Sequence, residues 1–395
     1  MSDFDNVNKI VDNLETELKA MSHKIHDNPE LGLHEFKACA LQIEILKKYG
    51  FSVEEEFCDM KTAYKATYKG KKIGPKIAML AEYDALPDLG HGCGHNLISM
   101  VGVGSGIAMR EFADKYGGEV YVIGTPAEET EGAKVEMANK GVFDKIDVAM
   151  MAHPAYMNTE SLNTLAMNAY KFEFVGKTAH AAGMPEEGIN ALDAMINFFN
   201  LVNALRQETK PDARIHGVIT NGGNTPNVIP DYTSAVFYVR AEKSIYLEEL
   251  SEKVINCAKG AALGTGTTLK YSFTEANFKD TNSNRALSHL YAKEVAKFGI
   301  NLINLKNYVV PGSSDLGDVS YKCPAIQTAW DITEGKGYGT HTAEFAKCAG
   351  EDQAMDSAIR MIKGFVMTAV ELMTDPDQML AIKEEFTHIN DANRF

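Results

Sequence analysis

The feature that most constrains this chain is a change of rhythm near Asn168. Before it, short apolar runs open KIAMLAEYDAL, EVYVIGTPAEE and KIDVAMMAHP, and amphipathic stretches, NLISMVGVGSGIAMREFADKY and AKVEMANKGVF, lie between them. Alternating strand and helix implies an α/β layer with a largely parallel sheet. After it, AYKFEFVG repeats with period two. The helix NALDAMINFFNLVNALRQ follows, then the strands RIHGVITNGG and YTSAVFYVRAE, a helix around Leu247 to Ala262, and the strand TLKYSFTEA. That β-α-β-β-α-β order is ferredoxin-like. Helical spacing returns in SNRALSHLYAKEVAKFGI, PAIQTAWDI reads as another core strand, and a helix from Asp352 to Leu372 is expected to close the chain. Two helices, Val7 to His26 and His34 to Tyr49, precede all of this. The simplest account is an insertion. Residues 1–167 and 277–395 form a discontinuous α/β domain, and residues 168–276 form a smaller α+β domain inserted at an exposed loop.

A chain of 395 residues is long enough for two such cores. Its net charge of −15, with no dense cluster of lysine or arginine, argues against a nucleic-acid binder. No apolar run approaches the roughly 18 residues of a membrane span. The opening MSDFDNVNKIVDNLETELKA lacks the apolar centre of a signal peptide. The cysteines, Cys39, Cys58, Cys93, Cys257, Cys323 and Cys348, are scattered in the manner of reduced thiols. A cytoplasmic protein is expected.

The chemistry gathers after the apolar strands, where open α/β sheets place their ligands. AEYDALPDLGHGCGHN follows the first, TPAEET the second, AHPA the third, and TEGKGYGTHTAEF the last. These segments carry Asp84, Cys93, His95, Glu128, Glu129, His153 and His341, the donor types of a transition-metal site. Each alone has an ordinary explanation: a buried cysteine is usually a small hydrophobe, and paired glutamates usually open a helix. Their convergence points to metal. Cys93 and His95, two apart, project to one side of an extended backbone. Adjacent Glu128 and Glu129 cannot easily both face one ion. One can ligate while the other takes a proton from an activated water and passes it to a leaving amine, which is amide hydrolysis.

AEYDALP, GHGCGHN, TPAEE, AHP and GTHTAEF, in that order, resemble the dinuclear metallopeptidases and amidohydrolases that include aminoacylases, glutamate carboxypeptidases and carnosine dipeptidases. They are most similar to the branch of p-aminobenzoyl-glutamate hydrolase and plant auxin–amino-acid hydrolases. GKTAHAA, GGNTPNVIPD, HDNPELGLHE and PGSSDLGDVS fit as well. The resemblance implies five ligands for two divalent ions, Cys93, His95, Glu129, His153 and His341, with Cys93 bridging. Zinc suits that donor set; cobalt, nickel and manganese are alternatives. It further implies Glu128 as general base and Asp84 as the carboxylate orienting a ligand histidine. His180 would reach a partner subunit's site to stabilise the oxyanion. Asn227 and Arg240 would lie near the substrate carbonyl or carboxylate. Substrates would be N-acyl or N-aroyl amino acids, p-aminobenzoyl-glutamate or dipeptides. Two residues depart from the wider family: Asn96 stands where Asp is common, and Glu82 stands where many relatives have a ligand histidine. On the resemblance, Cys93 and His95 take over that ligation. His91 has no assigned role in that pattern and reads as a loop histidine, and His216 falls on a lid strand.

The resemblance implies that the inserted domain pairs with its twin, edge strand to edge strand or helix to helix, giving a homodimer with a dimer of dimers as a further option; the alternative is a monomer in which the domain serves only as a lid. Two other functional readings compete. One is a metal-independent cysteine hydrolase using Cys93, with His95 or His153 as base. The other is a non-catalytic binding relative. The first leaves Glu128, Glu129 and His341 unexplained, and against the second every residue type the hydrolase chemistry requires is present.

Overall fold

The computed structural model describes residues 2–305 and 308–392. It divides into two units, Met1–Asn163 with Thr281–Tyr308 and Asp315–Phe395, and Thr164–Asp280 with Val309–Ser314. The chain crosses between them at 163/164 and 280/281, within four residues of the expected 167/168 and 276/277, and again around the short segment Val309–Ser314. Local pairing explains the offset: Phe278 pairs with Met167, and Asp280 accepts hydrogen bonds from the Ser244 amide and hydroxyl at 2.9 and 2.6 Å.

The larger unit contains a six-stranded sheet in the order Ser52–Glu55, Tyr64–Lys69, Glu119–Gly124, Lys76–Ala81, Val148–Ala155, Ala325–Asp331. The first two pairings are antiparallel and the other three parallel, with Ile77 opposite Val120 and Val148, and Thr328 opposite Ala152. Both faces are covered, which is why these strands read as continuous apolar runs. Ile77, Met79 and Ala81 join one core cluster, and Ala78 and Leu80 join another.

The helix His95–Tyr116 was expected to be amphipathic, yet most of its surface is buried. Its glycines explain this. A Cβ on Gly102 would come within 2.8 Å of the Leu80 carbonyl oxygen, and one on Gly104 within 2.7 Å of Leu18 and Ile362. The helix is pressed against the sheet on one side and against the helices Asp3–His26 and Asp352–Thr374 on the other. A helix covered all round needs no polar face. The chain also does not end with the helix at Asp352. A further helix, Pro376–Ala392, follows it. Pro376 opens that helix at the position where proline loses nothing, and Asp375 accepts from the Asp377 amide at 3.0 Å.

The smaller unit has the strand order Thr268–Phe273, Ala166–Val175, Tyr232–Ala241, Arg214–Asn221, all antiparallel. The helices Ala191–Leu205 and Ser244–Thr265 complete its core. That core centres on Phe198, whose ring lies 4.7 Å from Phe172 and 4.9 Å from Phe237. Arg214–Asn221 is an edge strand, and its Val218 and Ile219 are exposed. Among the described residues no helix is long and apolar enough to cross a membrane.

Candidate metal centre

Four chain segments converge beyond the strand ends of the larger unit. The strand Lys76–Ala81 continues into Glu82, Tyr83 and Asp84, all buried. Glu119–Gly124 leads through Thr125 and Pro126 to Ala127, Glu128 and Glu129. His153 lies within Val148–Ala155. His341, in the loop after Ala325–Asp331, donates its amide to the Gly92 carbonyl at 2.8 Å. Two non-glycine residues here, Ala127 (φ 57°) and His341 (φ 63°), adopt left-handed backbone, which costs about 1–2 kcal/mol each. The Ala127 amide is held by the buried Glu35 carboxylate at 2.8 Å.

GHGCGHN is not the extended segment expected. It is a turn that runs straight into the helix at His95. Gly94 makes this turn at φ 75°, and a Cβ there would meet the Pro154 ring at 2.8 Å. The bend, rather than strand alternation, carries Cys93 and His95 to the same place.

Donor atoms of Cys93, His95 and His153 lie within 4.8 Å of one another, as do those of Cys93, Glu129 and His341. Cys93 Sγ is 3.5 Å from His153 Nε2, and His341 Nε2 is 3.3 Å from Glu129 Oε1. His153 Nδ1 donates to the Pro154 carbonyl at 2.7 Å. His95 Nδ1 meets Asp84 Oδ1 at 2.8 Å, and Asp84 Oδ2 accepts from the Glu129 amide at 2.9 Å. His95 and His153 thus both have Nδ1 committed, with Nε2 directed toward the donor cluster. Burial opposes the Asp84 charge, but His95 and these hydrogen bonds hold its carboxyl below the ordinary range. We expect Asp84→Asn to weaken divalent-cation affinity about 10- to 100-fold, the usual cost of losing a ligand's orienting partner. Titration of the apo-protein with zinc measures this, and unchanged affinity would remove Asp84 from the site.

Three features fit this cluster to cations. His95 Nε2, Glu129 Oε1 and Glu82 Oε2 are buried without a hydrogen-bond partner among the described residues. The donor set of thiol, imidazole and carboxylate is that of zinc-like ions. Finally, carboxylates crowd together: Glu82 and Asp315 flank the Lys134 ammonium and face Glu128, while Asp84 and Glu129 lie beside His95. Burial, then Glu82, Asp315 and Glu129, push the Glu128 pKa well above the ordinary carboxylate value. A divalent ion reverses that repulsion. Burial also pushes the Cys93 thiol up, with Glu129 and Glu128 adding to it. A nucleophilic cysteine needs the opposite, electropositive setting.

Several members of this neighbourhood are not evident from the sequence. Lys134 Nζ bridges Glu82 Oε1 and Asp315 Oδ1, each at 2.6 Å, with all three buried. Asp315 lies in PGSSDLGDVS and Glu35 in HDNPELGLHE, segments whose one signal is their family-like sequence. Lys134 carries no local signal at all. Asn96 turns away from the cluster and donates to Ser22 Oγ and the Ala349 carbonyl, both at 2.9 Å. His91 is buried, with Nε2 at 3.1 Å from the Ile25 carbonyl.

His180, Asn227 and Arg240 belong to the smaller unit. His180 Nδ1 accepts from the Ala182 and Gly183 amides at 3.3 and 3.1 Å, which leaves the proton of a neutral ring on Nε2. The Asn227 carbonyl accepts from the Ala181 amide at 3.0 Å, so these two loops run together. Arg240 donates to Ser313 Oγ at 3.2 Å and lies over the Tyr238 ring. His216, on the edge strand, packs against Tyr238.

Known proteins share this arrangement over most of the chain. The peptidase dimerisation domain matches residues 166–265. The chain is 34% identical to mouse Xaa-Arg dipeptidase over 392 residues, covering 95% of this chain and 90% of the relative. It is 28% identical to a p-aminobenzoyl-glutamate hydrolase polypeptide of Escherichia coli, covering 95% and 93%. A dinuclear metal-binding peptidase of the M20 family from Bacillus subtilis superposes with a TM-score of 0.69 at 19% identity, covering 91% of this chain and 99% of that one. From the converging strand ends, the inserted dimerisation domain and this near full-length identity, it follows that the chain belongs to the M20 family of peptidases and amidohydrolases and is a hydrolase of that family.

Proposed function

We propose that this enzyme hydrolyses the amide bond of small, carboxylate-bearing substrates with the help of two divalent cations, zinc foremost. Dipeptides are the first candidates, followed by N-acyl amino acids and p-aminobenzoyl-glutamate. The observation that carries the reading is that Cys93 belongs to two donor triads at once, with His95 and His153, and with Glu129 and His341. Those five residues would hold the ions, Cys93 between them. Bound there, the cations supply Lewis acidity that lowers the pKa of water and polarises a carbonyl.

The chain's own residues do the rest. Glu128 takes the proton of the attacking water and returns it to the leaving amine. Asp84 keeps His95 in one tautomer with Nε2 unprotonated. Arg240 and Asn227 bind the substrate carboxylate and carbonyl; the planar guanidinium suits a carboxylate. His180 of a partner subunit donates from Nε2 to the oxyanion. The dimer forms through the smaller unit, whose edge strand Arg214–Asn221 offers unpaired backbone and the exposed side chains of Val218 and Ile219. The six free cysteines suit the reducing cytoplasm.

The test is a panel of Xaa-Arg and other dipeptides, N-acyl amino acids and p-aminobenzoyl-glutamate, offered to cation-replete protein, with released amino acid as the readout. Hydrolysis of at least one class is expected, and none at all would sink the reading. His180→Ala should lower kcat about 10²- to 10³-fold, the cost of one oxyanion donor, with little change in KM. Mixing it with Glu128→Gln should restore part of the activity, because a mixed dimer then has one complete site. No recovery on mixing would show that His180 does not act across subunits.

A further inference from the structure

Glu35 stands at the N-cap of the helix Phe36–Lys48, where a side-chain oxygen commonly accepts from the first free amides. Here it does not. Glu30 Oε2 takes the Lys37 and Ala38 amides instead, at 2.8 and 3.0 Å, and the Glu35 carboxylate turns inward and is fully buried. Both of its oxygens are occupied there. Oε1 accepts from the Ala127 amide and Oε2 from the Thr62 hydroxyl, each at 2.8 Å. The Thr62 carbonyl accepts in turn from the Tyr83 hydroxyl, one residue before Asp84. Burial pushes the Glu35 carboxyl up to about 7. A core would be easier to build with an apolar side chain at this position, so what the carboxylate holds is informative.

It holds Ala127, a non-glycine residue at φ 57°. Such a residue keeps left-handed backbone only when its surroundings fix it. The next residue is Glu128, the proposed base. Glu129 has a separate anchor, its amide on Asp84 Oδ2 at 2.9 Å. The segment before Glu35 also presses on this turn: a Cβ on Gly32 would lie 2.3 Å from Thr130 Oγ1 and 3.0 Å from the Ala127 Cβ. We propose that Glu35 is a positioning residue for hydrolysis, which locks the Ala127 turn in its left-handed form and so fixes the direction from which Glu128 reaches the attacking water. The inference rests on the reading of Glu128 as general base. Without Glu35, Ala127 relaxes to an ordinary φ and swings Glu128, while Glu129 stays tied to Asp84. The base is then misplaced, but the cations are kept.

The experiment is a double-mutant cycle of Glu35 and Glu128 in cation-replete protein, on the best substrate of the panel, with cation content and thermal unfolding measured for every variant. Glu35→Leu should lower kcat about 10²-fold, the effect of a misplacement of about 1 Å, with KM and cation content near wild type. Glu35→Gln should restore most of the rate, because its amide oxygen can still accept from Ala127 and its amide nitrogen can donate to Thr62 Oγ1. In a Glu128→Gln background, Glu35→Leu should cause no further loss, since no base remains to be misplaced. A purely structural role predicts the same loss in both backgrounds. That result, or wild-type kcat in Glu35→Leu, overturns the inference and leaves the hydrolase reading intact. If Glu35→Leu does not fold, Thr62→Val, which frees one oxygen of Glu35, takes its place in the cycle under the same criteria. A wild type inactive on the whole panel ends the hydrolase reading and this inference together.

Discussion

Glu128→Gln should lower kcat by about 10²- to 10⁴-fold, the range for a positioned general base, and should leave cation content at the wild-type value. The neighbouring glutamates have different surroundings, and this separates their tasks. The Glu129 amide is held by Asp84, and its Oε1 faces His341 at 3.3 Å and His95 at 3.9 Å. Glu128 also has a donor near His95, but it additionally faces Glu82 and Asp315, which Glu129 does not. Burial and those carboxylates make it a stronger base than a solvated glutamate. Glutamine keeps its size but cannot accept the proton. Because the change also removes a charge from a crowded acidic cluster, the melting temperature should not fall. Steady-state kinetics, elemental analysis and thermal unfolding on one preparation separate these effects. Normal turnover in the variant would end the proposed role of Glu128.

Cys93→Ala has the widest consequence, because one sulfur is shared by both triads. Both ions should bind at least about 100-fold more weakly, and turnover in cation-limited buffer should fall below detection. Exhaustive chelation of wild type should abolish activity, and added zinc should restore it; in the variant, zinc at the same concentration should not. Cys93 is almost fully buried at the start of a packed helix, so a small apolar replacement leaves the fold intact. Wild-type activity that survived complete chelation, but not loss of the sulfur, would revive the thiol-nucleophile reading.

Local pattern carried a long way here. Strand periodicity and the β-α-β-β-α-β order are properties of neighbouring residues, so the smaller unit's sheet was legible, as were four of the six strands of the larger one; Ser52–Glu55 and Tyr64–Lys69 were not read from the sequence. Donor residues that follow strands could be grouped because a parallel sheet brings successive strand ends to one edge. Local pattern failed where burial depends on distant partners. The helix His95–Tyr116 looks amphipathic in isolation, yet its surroundings come from Leu18, Leu80 and Ile362, far away in the chain. Pro376 hides the helix Pro376–Ala392, because proline reads first as a stop although it also starts helices.

By itself the sequence determined which side chains were available and in what order. It supplied a thiol, three imidazoles and paired carboxylates after four strands, glycines for a tight turn at Gly94, and an inserted domain with its own alternating core. Only the tertiary structure decided which atoms meet. The left-handed turn at Gly94, not strand alternation, brings Cys93 and His95 together. Lys134 lies 52 residues from Glu82 and 181 from Asp315, and no local rule links positions so far apart. Such a pairing exists because a buried charge must find its opposite wherever the fold provides one. In this protein, meeting that requirement leaves one oxygen of Glu82 facing His95.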